Sequence, residues 1–131
     1  NAAIAAEPMV ADYHYVKGNM AESLGNYDEA LKAFEKAVEL KPDLVDAYAG
    51  MGRVFYNQAV KVNDAALNLD AKDVDAYTKA EKEMNDLFKR SLPYFEKAYE
   101  MNKDDYDNKR ILMNLYYRLG MEKEYDALSN E

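Results

Sequence analysis

The sequence predicts an all-α fold, an array of stacked helical hairpins with one hairpin drawn out well beyond the rest. Three observations carry that expectation. Apolar residues recur at helical spacing along the chain, with only five Gly and three Pro and no period-two stretch rich in β-branched residues. The tetrapeptide FEKA occurs twice, at Phe34–Ala37 in LKAFEKAVELKPD and at Phe95–Ala98 in LPYFEKAYEMNKDD. Between the copies lie two seams with 3-4-3 spacing, Ala59, Val62, Ala66, Leu69 and then Tyr77, Ala80, Met84, Leu87.

The first complete hairpin sets the pattern. In NYDEALKAFEKAVELKPD the positions Ala30, Leu31, Phe34, Ala37, Val38 and Leu40 make one apolar face. Asn26 is expected to cap this helix, with Glu29 completing a capping box, and Pro42 to stop it. Asp43 is expected to cap the following helix, with Asp46 in its first turn. Upstream, Gly18 and Ala21 lie on a helix joined to this one through SLGNYDEA. Small Gly18, Ala21, Ala30 and Ala37 let the two helices approach, and Phe34 fills the space between them.

Gly18 and Ala21, followed by Ala30, Phe34 and Pro42, reproduce the G-x2-Y and A-x3-F…P halves of one known pattern. On these residues the chain resembles the tetratricopeptide repeat (TPR) family, from Ala11 to about Leu128. LPYFEKAYEM followed by LMNLYYRLGM makes it look like a bacterial TPR protein with one extended repeat. The resemblance implies a right-handed superhelix, or α-solenoid, built from units of about 34 residues. Residues 11–44 are then unit 1. Unit 2 starts at Val45 with Tyr48, Met51, Gly52 and Phe55 in the expected slots. Its second helix should bring a small residue near position 64 and Phe near 68, but Ser91 and Phe95 fill those slots instead. The separation of the FEKA copies is thus one repeat plus an insertion.

The seams explain the insertion as a short antiparallel helical pair with Asp73 capping the return helix. Both helices of unit 2, residues 45–105, are lengthened, and the arm projects roughly 20 Å beyond an ordinary repeat. Pro93 should kink or break the return helix between Lys89 and Pro93. Residues 106–131 are a partial third unit and C-terminal cap, with Gly120 ending its first helix and Tyr125 in a slot where the family prefers Ala. At the other end, Pro8 and Ala3 lie one repeat period before Pro42 and Ala37. Residues 1–10 are therefore expected to be the tail of a preceding repeat's second helix, and the chain a piece of a longer array.

The resemblance also implies a concave face, lined by the first helix of each unit, that takes an extended peptide or a partner helix. Its groove positions fall on Tyr15, Asn19, Arg53, Tyr56, Asn57, Arg110, Asn114, Tyr117 and Arg118. The carboxylate clamp that one subgroup uses to hold chaperone tails is not carried over. Asn19 fits, but Tyr15, Gly50, Asp107 and Ile111 occupy the remaining slots.

Composition narrows the function further. The net charge of −8 opposes nucleic acid and anionic membrane surfaces. No apolar run is long enough for a membrane span. With no cysteine there is no thiolate chemistry, which suits cytoplasm or periplasm alike. His14 is the only histidine, too little for a triad or a zinc site. DAKDVD and KDDYDN lack the glycine bend and distant Glu of a calcium loop. Asp28–Lys32 and Asp86–Arg90 are expected to be surface ion pairs, and the seven Met to fill core. The chain is expected to be non-catalytic, to need no cofactor or metal, and to bind a protein or peptide. Self-association through the protruding hairpin, giving a homodimer, is the alternative.

Overall fold

The computed structural model describes residues 2–131, with side chains from Val10 onward. Among these residues there are six helices and no strand: α1 (Ala2–Ser23), α2 (Tyr27–Leu40), α3 (Val45–Ala66), α4 (Val74–Met101), α5 (Tyr106–Arg118) and α6 (Glu122–Ser129). They pair as consecutive hairpins, α1 on α2, α3 on α4 and α5 on α6. The α2–α3 and α4–α5 contacts join one hairpin to the next.

Two of the three hairpin turns are closed the same way. Gly25 and Gly120 adopt φ of 78° and 71°, a region open to glycine at little cost. Asn26 then donates its amide to the Ala21 carbonyl at 2.8 Å, and Met121 does so to Tyr116 at 2.8 Å. Each is a Schellman ending that satisfies carbonyls the helix would leave unpaired. Asn26 is therefore the last residue of one motif and the first of the next helix. Its ψ of 71° is short of the extended value, and its side chain makes no cap bond, so the expected capping box does not form. Asp43 is likewise one residue out of place, since Leu44 holds the N-cap position of α3. Asp73 does cap α4, accepting from the Ala76 amide at 3.0 Å, and Asp105 caps α5 by accepting from Asn108 at 3.1 Å.

The core falls into two clusters divided by α3. On one side Phe34, fully buried, packs with Ala21, Ala30, Ala37, Ala47, Met51 and Val54. On the other, Phe88 and Phe95 pack with Ala49, Ala59, Ala98, Leu112, Leu115 and Leu128. Helix α3 is buried on two faces, which is why Ala, Gly and Val crowd its first half. A methyl group added at either Gly18 or Gly50 would lie 2.7 Å from the Phe34 ring, so the ring is wedged between α1 and α3. Gly52 stands in the same relation to Phe95. The FEKA copies repeat because each supplies the ring that fills the same gap.

The long hairpin is present. Helices α3 and α4 run 22 and 28 residues, against 14 and 13 for α2 and α5. Ala59 is fully buried in the seam, and Val62, Ala66, Ala80, Met84 and Leu87 are half-buried along it. Leu69 lies beyond the end of α3, in the connection, where its carbonyl accepts from the Tyr77 hydroxyl at 3.3 Å.

Three expectations are corrected. Helix α4 passes through Pro93 without a break. A single proline forgoes one amide bond, and the surrounding helix, locked by Phe88, Phe95 and Ala98 in the core, carries on. The backbone of residues 2–10 runs on into α1, so no separate helix ends at Pro8. Neither Asp28–Lys32 nor Asp86–Arg90 closes among the described residues; at exposed positions such pairs gain too little to fix two long side chains.

Candidate functional site

The nine groove positions divide into two groups with different surroundings. At the junction of α1 and α3 the polar residues satisfy one another. The Arg53 guanidinium donates to Glu22 through Nε at 3.3 Å and Nη2 at 3.2 Å, and through Nη2 to Asn19 Oδ1 at 3.1 Å. Asn57 Nδ2 donates to the same Glu22 carboxylate at 3.4 Å. Glu22 is mostly covered and Arg53 about two-thirds covered, so the group staples successive hairpins together. Sequence reasoning missed Glu22. The available signal was its place at i+3 from Asn19, on the same face of α1.

The aromatic members of the first half also turn inward. Tyr15 packs on Phe34 with ring centroids 5.9 Å apart. Tyr56 meets Phe88 edge-on at 5.3 Å and Phe95 at 6.3 Å.

Helix α5 is different. Arg118 lays its guanidinium over the Phe88 ring at 5.1 Å, and its Nε donates to Asn114 Oδ1 at 2.7 Å. No carboxylate lies within ion-pair distance of it among the described residues. Arg110 faces Asp107 at 3.6 Å with both side chains largely in solvent. Tyr117 is 76% exposed. Arg110, Asn114 and Tyr117 share a cavity of about 420 Å³ with Tyr106, Lys109, Met113 and Tyr125. A surface with exposed cations, tyrosines and a thioether can hold carboxylates and apolar side chains together.

Behind α5, Tyr116 is buried and donates its hydroxyl to Glu96 at 2.8 Å. Burial first, then that bond and the charges of Glu96, Glu124 and Glu131, push the Tyr116 hydroxyl well above the usual phenol range. Tyr99 is raised for similar reasons, chiefly its bond to Glu131 at 2.5 Å. Among the described residues no group of His, Asp and Glu is arranged to hold a metal, and no helix is long and apolar enough to cross a membrane. His14 packs edge-on against Tyr13 at 5.4 Å.

Stacked helical hairpins, with Phe34 and Phe95 filling equivalent gaps against glycine and alanine in the first two, define a helical-repeat protein. Residues 18–58, from late α1 into the middle of α3, match the family model described as TPR repeat. That stretch is similar to a tetratricopeptide repeat, the six-helix all-α fold is consistent with a helical-repeat protein of that type, and the repeat supports a general role as a protein–protein interaction scaffold. No curated protein matches the chain.

Proposed function

We propose that the chain is a non-catalytic binding module, built of units 11–44, 45–105 and 106–131, which holds a peptide or partner segment along its first-helix face. The carrying observation is Arg118. Its guanidinium is positioned by the Phe88 ring and by Asn114, and it has no carboxylate of its own among the described residues. A cation held in place but unpaired suits a ligand carboxylate, because little ordering entropy remains to be lost on binding. Exposed Tyr117 and half-buried Met113 line a cavity with Asn114, the partner of Arg118, and favour an apolar neighbour in the ligand. The ligand class is an extended segment with acidic and apolar residues. Arg53, already engaged by Glu22, serves the fold more than the ligand.

The test is a peptide-library binding measurement on the wild type, Arg118→Ala and Arg53→Ala. Loss of one charge-assisted contact should weaken bound peptides about tenfold in Arg118→Ala, or about 1.4 kcal/mol. Arg53→Ala should instead lower the melting temperature. Undiminished affinity in Arg118→Ala would move the interaction to another face.

A second reading has its own observation. The far end of the α3–α4 hairpin carries an apolar cavity of about 430 Å³, lined by Val62, Ala65, Ala66, Leu69, Ala76 and Ala80 between Lys61, Lys79 and Glu83. This is the surface through which the hairpin would pair with a copy of itself. A dimer abolished by Ala65→Glu would support that reading.

A further inference from the structure

The long hairpin carries one of its faces past the helix that covers that face lower down. Helix α2 packs on α3 through Ala47, Met51 and Val54, and on α4 through Tyr94. On α4 the same face runs on toward the tip at 4-3-4-3-4 spacing, through Arg90, Leu87, Glu83, Ala80 and Ala76. On α3 it runs on through Gln58, Val62 and Ala65. Helix α2 stops at the foot of this stretch, where Lys61 holds its ammonium 4.9 Å over Tyr27, the first residue of α2. The stop is set within the chain, because Gly25 and the Asn26 amide close the α1–α2 turn there. Beyond it lie two adjoining cavities of about 430 and 510 Å³, both lined by Lys79 and Glu83. From Ala76 to Arg90 the open seat is about 20 Å long, or roughly four helical turns.

Shape and charge say what fits it. The floor near the tip is made of small residues, Ala65, Ala66, Ala76 and Ala80. Where α2 covers this face, it sets a large side chain against a small one, Phe34 against Gly50. An alanine floor therefore calls for a helix bearing large apolar side chains. A second copy would bring the same alanines and leave a void that close packing disfavours. Along the seat stand Lys61, Lys79, Lys82 and Arg90 against Glu83 and Asp86, and none of these is in an ion pair among the described residues. In a chain of net charge −8 this is a locally cationic edge. It complements carboxylates, and it would set the cations of a copy against its own.

We propose that this face of the long hairpin is a docking site for a helix of another protein, amphipathic, with large apolar side chains on one side and Glu or Asp flanking them. The partner helix lies beyond the end of α2 and turns the projecting pair of helices into a three-helix bundle. The contact does not involve α5 or Arg118, so it stands apart from peptide binding there.

A displayed library of peptides of about 18 residues tests this, with Leu, Met, Ile or Phe at 3-4 spacing and Glu or Lys free at the flanking positions. Selected on the folded chain, the enriched peptides should carry Glu at the flanks and gain helical circular dichroism on binding. Their affinity should fall at least about tenfold in Ala65→Glu, which blocks the floor, and in Lys79→Glu/Lys82→Glu, which reverses the edge. All three positions face solvent, so each variant should keep the wild-type circular dichroism. Arg118→Ala should bind the same peptides undiminished. A library that yields only peptides indifferent to Ala65→Glu overturns the proposal, and peptides lost in Arg118→Ala alone would belong to the α5 face. Enrichment of Lys over Glu, or peptides that bind without becoming helical, also overturns it. So does a wild type that sediments as a dimer dissolved by Ala65→Glu, which would assign the face to a second copy.

Discussion

Gly50→Ala should destabilise the protein although alanine is the better helix former. The substitution gains about 1 kcal/mol of helix propensity in the middle of α3. Against that, the new methyl would stand 2.7, 2.8 and 3.0 Å from three carbons of the Phe34 ring, where ordinary contact begins near about 3.5 Å. The ring cannot retreat, because on its other side it is just as close to the Cβ position of Gly18. Forcing extra carbon into such a site costs about 1–3 kcal/mol. The net effect is a loss of up to about 2 kcal/mol, or up to roughly 7 °C in melting temperature for a chain of this size. Phe34→Leu alone should lose about 1–2 kcal/mol through the carbon it removes. The double substitution should lose less than the sum by about 1 kcal/mol, since the smaller side chain makes room for the methyl. Urea denaturation of the four proteins measures this cycle. Additive losses, or a stabilised Gly50→Ala, would refute the wedge.

Phe34→Ala should cost about 3–5 kcal/mol, and Leu69→Ala at the half-buried hairpin connection considerably less; equal shifts in denaturation midpoint would contradict the two-cluster core. Gly120→Ala meets no atom within 4 Å, so its cost of about 1 kcal/mol should come from φ alone and persist whatever the neighbouring side chains. Tyr116 has a folded pKa above its unfolded value, so its contribution is whole below pH of about 10 and declines as pH rises beyond that. Thermal melts from pH 8 to 11 should show a falling midpoint in the wild type, and a shallower fall in Tyr116→Phe.

What the sequence revealed was set by periodicity and volume. Phe34, Gly18, Ala30 and Ala37 could be placed because one spacing and one gap demand those sizes. The hairpin could be placed because its seams keep that spacing through the insertion. The misses have another character. Asn26 and Asp43 looked like caps by residue type, but cap geometry turns on a single ψ and on one residue of register. Pro93 looked like a break, and tertiary packing along α4 overrode the lost bond. Arg53 and Tyr56 looked like groove residues by slot. Whether a slot faces ligand depends on its neighbours, and those come from a different helix, distant in sequence.

The junctions between hairpins show how one fold produces two kinds of surface. At each, a cation from the first helix of the following hairpin covers an aromatic ring in the second helix of the hairpin before it. Lys61 lies 4.9 Å over Tyr27, and Arg118 lies 5.1 Å over Phe88. Tyr27 and Phe88 hold equivalent positions in the two repeats, as Phe34 and Phe95 do. At the first junction α1 supplies Glu22, which binds Arg53 and Asn57 and leaves the face electrically closed. Removing that carboxylate would strand a largely covered guanidinium, so this part of the surface is committed to holding hairpins together. At the second junction no acid among the described residues plays the part of Glu22, and the neighbouring amide, Asn114, is neutral. The guanidinium there keeps donors that, on the proposed reading, a ligand carboxylate would take up. A protein with net charge −8 repels acidic ligands at a distance. On the proposed reading, within the Debye length of about 8 Å the Arg118 guanidinium would outweigh that repulsion, so charge would slow the encounter while the local groove decides what stays.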